Sequence, residues 1–260
     1  MLTKRACLVL LFTMVAAAPA AAQDAWSWRK AVPAGRAVEI KGVNGDVSAT
    51  AASGNEVEVI ARKTARRSDP DDVRIEVVEH DGGVTICAMY PTPRGQRENE
   101  CLPGARGRSN TRNNDVSVAF EVRLPRGVRF IGKTVNGSVR ATGLSADVQA
   151  NTVNGSIRVS TAGLAEAHTV NGSINVRMGR ADWDDSLQFQ TVNGAIIIEL
   201  SGDVNADVSA TTVNGSLSSD WPMTMRGRWS PRHMNGKIGS GGRELALETV
   251  NGDIELRRAN

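Results

Sequence analysis

The chain is predicted to be all-β, a β-solenoid of the β-helix or β-roll kind with about eight coils. Three observations lead to that class. Asn-Gly occurs eight times in 260 residues. Apolar and polar residues alternate on both sides of each copy, the period of a half-buried strand. From Asn136 onward the copies recur every 16 to 22 residues, room for one strand-turn-strand unit and little else.

Asn and Gly are the residues that most readily take positive φ. The pairs Asn44-Gly45, Asn136-Gly137, Asn154-Gly155, Asn171-Gly172, Asn193-Gly194, Asn214-Gly215, Asn235-Gly236 and Asn251-Gly252 are therefore expected to be structural turns. Aligned on the Asn, an apolar column lies six positions before it: Phe130, Val148, Ala165, Leu187, Val208, Trp229 and Leu245. Another lies three after it: Val139, Ile157, Ile174, Ile196, Leu217, Ile238 and Ile254. Thr stands two before nearly every Asn, with His233 in the imperfect copy, and Val stands one before, with Met234 there.

A hairpin meander with type I′ turns shares this pattern. The solenoid is favoured because so small a unit cannot bury an apolar face alone, whereas stacked units make a continuous core. The Val before each Asn is expected to point inward at the corner. On that reading Val192→Asp and Ile196→Asp unfold the protein by burying an unpaired charge, and the same change at Arg158 is tolerated.

Before the array, residues 36–130 read as strands: Val38 and Ile40 lead into the first turn, followed by Val47, Val57, Val59, Val73, Ile75, Val84 and Ile86. Alternation stops over 90–114, a Pro- and Arg-rich insertion, and resumes at Val116, Val118, Phe120 and Val122. The regular array covers 130–258, so 23–260 is expected to form a single β-repeat domain.

Residues 1–22 read as a secretory signal peptide. Lys4 and Arg5 precede a short apolar run, and Ala20-Ala21-Ala22 supplies small residues for cleavage near Ala22. The run is too short to span a bilayer, and no transmembrane segment is expected in the mature chain. The product is expected to be exported, either periplasmic or secreted to the cell surface. Two cysteines then remain, Cys87 and Cys101, and an oxidising compartment makes a disulfide the default. Net charge is only +3 and falls further with Lys4 and Arg5, so global basicity points to no partner.

The phrases FEVRLPRGVRFIGKTVNGSV at 120–139 and IKGVNGDVSA at 40–49 resemble the bacterial putative-adhesin family with β-strand repeats, a domain of unknown function. The likeness covers roughly 36–258. It implies the repeat fold and an adhesive or scaffolding role at the cell envelope, and it implies no catalytic residues.

The candidate sites follow from composition. Arg94, Arg97, Arg106, Arg108 and Arg112 crowd the 90–114 insertion and make it the best candidate contact surface, suited to an anionic glycan or lipid. Export and the lack of interleaved aromatics argue against nucleic acid. A second basic run, Arg62-Lys63 with Arg66-Arg67, reads as solubility and edge protection. Asp182, Asp184 and Asp185 form a dense acidic cluster, read as a solvated loop, with Trp183 either a sugar platform or a cap on a neighbouring coil. His80, His168 and His233 share no metal spacing. Ser follows Asn-Gly more often than Asp, so calcium ladders are not expected; no metal and no cofactor is. The chain is thus expected to be a non-catalytic envelope module that binds or scaffolds. A carbohydrate-active enzyme on a β-helix and a purely structural envelope protein are the alternatives.

Overall fold

In the computed structural model, residues 25–184, 186–225, 230 and 232–259 are described. The expected signal peptide, Asp185 and Trp229 lie outside the described residues. Two large, mostly parallel β-sheets face each other across one core.

The first sheet runs, from one edge to the other, Trp26–Ala31, Glu56–Thr64, Ser117–Leu124, Val47–Ala51, Val139–Leu144, Ile157–Thr161, Ile174–Met178, Ile196–Leu200, Ile254–Arg258 and Leu217–Ser219. The second runs Met223–Met225, His233–Ile238, Ala206–Thr211, Glu244–Glu248, Leu187–Gln190, Ala165–His168, Val148–Asn151, Arg129–Lys133, Ala37–Lys41, Gly83–Met89 and Arg74–His80. Antiparallel pairs occur only towards the ends of the stack, as between Glu56–Thr64 and Ser117–Leu124 or between Ala206–Thr211 and His233–Ile238.

Each layer is a strand of the second sheet, an Asn-Gly corner and a strand of the first. The expected apolar columns meet inside. Phe130, Val148, Ala165, Leu187 and Leu245 from one sheet face Val139, Ile157, Ile174, Ile196 and Ile254 from the other, all at most 5% exposed. Burying each of these larger side chains stabilises the fold by about 1.5–3 kcal/mol.

The layers do not follow chain order. The corner Asn residues stack as Asn44, Asn136, Asn154, Asn171, Asn193, Asn251 and Asn214. After Leu200 the chain builds the outermost layer first. It then doubles back through His233–Ile238 and lays Glu244–Glu248 and Ile254–Arg258 into the gap. Seven copies make the ladder. The eighth does not: Asn235 and Gly236 lie within the antiparallel strand His233–Ile238, opposite Ser209 and Val208. That copy lacks the Thr whose hydroxyl the corner uses, so about eight coils becomes seven stacked corners among the described residues.

The corners work differently from expectation. None of the corner Asn residues has positive φ, and of the seven ladder glycines only Gly45 does, at 118°. Glycine is needed because layers approach too closely for a side chain. A Cβ on Gly137 would sit 2.1 Å from the Gly45 carbonyl oxygen, and one on Gly155 2.0 Å from that of Gly137. The Asn amides point along the stack, each Nδ2 donating to Oδ1 of the layer before it, 2.8 Å from Asn136 to Asn44 and 2.8 Å from Asn171 to Asn154.

Alternation continues through the corner, so Thr faces in and Val faces out. Thr152 and Thr191 are 6% and 1% exposed. Their Oγ1 atoms donate to Gly137 and Gly172 carbonyls of the preceding layer at 2.8 and 2.9 Å, which satisfies a buried hydroxyl. Val135, Val153, Val170, Val192 and Val250 are between 36% and 39% exposed, and only Val43 is buried. The expected inward valine, and with it the unfolding effect of Val192→Asp, is corrected.

Candidate functional site: an anchored cationic loop

Outward side chains of the second sheet carry the insertion. Val38 and Ile40 point into the core, so Glu39 and Lys41 point out; Lys133, directly opposite Lys41, does the same. The 90–114 segment folds back over this face and is fixed to it at several points. The expected disulfide links Cys87 of the strand to Cys101 of the loop, with Cα atoms 5.9 Å apart.

Glu39 is the centre of the attachment. Only 3% exposed, it accepts from Thr85 Oγ1 at 2.9 Å, from the Gly104 backbone N–H at 2.9 Å and from Lys133 Nζ at 2.7 Å. A buried carboxylate is tolerated only with such partners. Lys133 also donates to the Gly104 carbonyl at 3.0 Å, and Lys41 donates to the carbonyls of Leu102 and, at 2.8 Å, Arg106. Burial pushes the Lys41 pKa down; Glu39 opposes this, and Lys133 and Arg106 add to the depression.

The loop has internal order too. Asn99 Nδ2 donates to the carbonyls of Tyr90 and Asn110 at 2.9 and 2.8 Å, and its Oδ1 accepts from the Asn110 N–H. Glu100 and Arg108 exchange two backbone hydrogen bonds of 2.9 Å. Between loop and corner lies a cleft of about 290 Å³, lined by Lys41, Lys133, Arg106, Arg108, Glu100 and Val135 among others.

Of the five candidate arginines, the fold brings Arg106 and Arg108 into this cleft, while Arg94, Arg97 and Arg112 lie away from its lining. Arg94, Arg97, Arg106 and Arg112 are exposed; Arg108 is half-buried and donates to the Glu98 carbonyl at 2.8 Å. Among the described residues, none of the five has a carboxylate within ion-pair distance. Glu39, Lys41 and Lys133 were missed in the sequence. Their outward alternation was legible, but nothing local shows that Thr85 and Gly104 arrive at the same point.

The other candidates resolve into structure. Arg62 pairs with Glu121, Lys63 with Asp71 at 3.6 Å, and the backbone N–H groups of Arg66 and Arg67 bond the Asp115 carboxylate. Asp182 pairs with Arg180 at 2.8 Å. Trp183 is no sugar platform: it is 1% exposed, its indole N–H donates to the Glu244 carbonyl at 2.9 Å, and it plugs the core beside the inserted layer. His80 contacts Thr85, and His233 contacts Thr211 and Asn235, in separate places. Among the described residues no group of His, Cys, Asp or Glu could hold a metal.

Residues 32–257 match the Toastrack DUF4097 family, and the chain belongs to it. Among solved structures, it is similar to a putative cell adhesion protein from Clostridium sporogenes ATCC 15579, at 10% identity and TM-score 0.46, over 91% of this chain and 100% of that one. It is also similar to a putative adhesin from Bacteroides fragilis NCTC 9343, at 12% identity and TM-score 0.34, over 90% and 98%. No curated protein matches.

Proposed function

We propose that the protein is an exported, non-catalytic binding module of the cell envelope, and that the anchored Arg-rich loop is its contact surface for an anionic glycan or lipid. The observation that carries this reading is the pairing of order with unsatisfied charge. The loop is held by a disulfide, two lysines and a buried glutamate, yet Arg94, Arg97, Arg106 and Arg112 project from it without acidic partners among the described residues. A loop kept only for solubility has no need of such anchoring. Guanidinium groups carried on an anchored backbone supply a field that draws in anions and weakens with salt.

The test is retention of residues 23–260 on phosphatidylglycerol vesicles and on an acidic polysaccharide column across a salt series. Retention is expected to fall with salt and to drop when Arg94, Arg97, Arg106 and Arg112 are changed to Gln together. Retention unchanged by both would defeat the reading. Export is tested separately: the protein recovered from cell fractions is expected to begin at Gln23 and to lie outside the cytoplasm.

A further inference from the structure

The outer face of the second sheet carries a hollow beside Asp184 and a cleft beside the 90–114 loop, and the stretch of sheet between them is a trough. In register, Ile131, Gln149 and Glu166 make one row across three strands, and Lys133, Asn151 and His168 make the next. Neighbours in a row are about 4.8 Å apart, and the rows about 7 Å. The first row borders a hollow of about 320 Å³ walled by Asp184 and Ser186. The second begins at the cationic cleft, where Lys41 and Lys133 meet Arg106 and Arg108. The strand Arg129–Lys133 lines both, so hollow and cleft open on one surface.

The floor is polar and its side chains are open to a ligand. Gln149, Asn151, Glu166 and His168 are half-buried, and among the described residues their side chains have no hydrogen-bond or ion-pair partner. Amide and imidazole groups both donate and accept, as a row of ring hydroxyls requires. At one end the partners are cationic donors. At the other, the hollow's lining holds three carboxylates, Asp147, Glu166 and Asp184, against one cation, Arg129, so acceptors prevail there. A polymer with an acid on every residue would lay charge over those carboxylates, and among the described residues of the lining the aromatics Phe130 and Trp183 are buried and offer bases no open ring to stack on.

We propose that the trough binds an oligosaccharide that is neutral along its length and carries one acidic residue at the end seated against Lys133, Arg106 and Arg108. This rests on the reading of the loop as a contact surface and adds the ligand class and its direction. Hydroxyls of the neutral residues bond Gln149, Asn151 and His168, and the far end donates to Glu166 and Asp184.

Calorimetric titration of residues 23–260 tests it with tetrasaccharides of glucose, galactose and N-acetylglucosamine, each neutral, oxidised to one terminal acid, or oxidised at C6 of every residue. For at least one backbone, the singly acidic form is expected to bind about tenfold tighter than the other two. Gln149→Ala with Asn151→Ala is expected to weaken that form about tenfold while vesicle retention and the melting temperature stay unchanged. Asn151→Asp, a change on the same outward, half-buried face, should weaken it as well. Arg106→Gln with Arg108→Gln should erase the preference for the acid. Tightest binding by a fully acidic form, indifference to the Gln149 and Asn151 changes, or no binding by any member overturns the trough. Vesicle retention that still depends on arginine would then leave the loop reading standing; loss of both would remove the two together.

Discussion

The side-chain amide of Asn193 donates to Oδ1 of Asn171 at 2.8 Å, and Oδ1 of Asn193 accepts from Asn251 at 2.7 Å, although Asn251 lies 58 residues further along the chain. Every amide of the ladder thus points the same way, towards Asn44. Asn193→Ala is expected to cost about 1 kcal/mol, because the two orphaned neighbours can turn to water. Asn193→Asp should cost more, since it removes the donor and sets a carboxylate oxygen against Oδ1 of Asn171. Urea denaturation checks both, with the midpoint falling and the slope unchanged.

The glycines set a harder limit. A Cβ at Gly194 would come 2.1 Å from the Gly172 carbonyl oxygen, and no side-chain rotation relieves it. Gly194→Ala is expected to cost about 3 kcal/mol or more as the layers are forced apart. At Gly54 a Cβ meets nothing within 4 Å, so Gly54→Ala should stay within about 0.5 kcal/mol. Thermal melts of the two variants make the comparison.

Facing matters more than hydrophobicity along the corner. Ile196 is fully buried and Val192 is 38% exposed, four residues apart. Ile196→Asp is expected to abolish cooperative folding, because its charge would have no partner in the core. Val192→Asp is expected to leave the transition nearly intact. Circular dichroism melts distinguish the pair.

Asp115 accepts from the backbone N–H groups of Arg66, Arg67 and Ser68, and these bonds hold its carboxyl below the usual carboxylate range, led by Ser68. Its folded pKa is therefore lower than its unfolded one. The stability it contributes is present in full above the unfolded value of about 3.9 and is lost as pH falls through the folded value. Asp115→Asn should be less stable than the parent at neutral pH, and the gap should close under acid. A gap that widened as pH fell would contradict the assignment.

Much of the fold was legible because the repeat is short and its columns are strict. Phe130, Ile157 and Ile196 declare their inward positions by period alone, and two cysteines in an expected oxidising compartment leave one disulfide to make. The corner was read by the wrong physics. Asn-Gly suggests positive φ, whereas here Gly172 is needed for close approach and Asn171 for its amide ladder, and neither requirement appears until layers are stacked. The order of layers was hidden for a similar reason: Asn251 and Asn214 carry equivalent motifs, and only three-dimensional pairing decides which sits on Asn193. In the candidate site, the arginines were visible as composition. Glu39, buried under a loop that begins about fifty residues later, was not.

The stacking order is the claim on which the rest depends, and engineered disulfides report on it directly. Val192 and Val250 occupy adjacent layers, joined by the backbone hydrogen bond from Val250 N to the Val192 carbonyl at 3.3 Å. Val213 stands one layer beyond Val250. Layers about 4.8 Å apart lie within disulfide reach, whereas two layers, roughly 10 Å, do not. Mild oxidation followed by peptide mapping is expected to cross-link Val192→Cys with Val250→Cys and to leave Val192→Cys with Val213→Cys unlinked. The reverse result would mean that the copies stack in chain order, and the inserted final layer would be wrong.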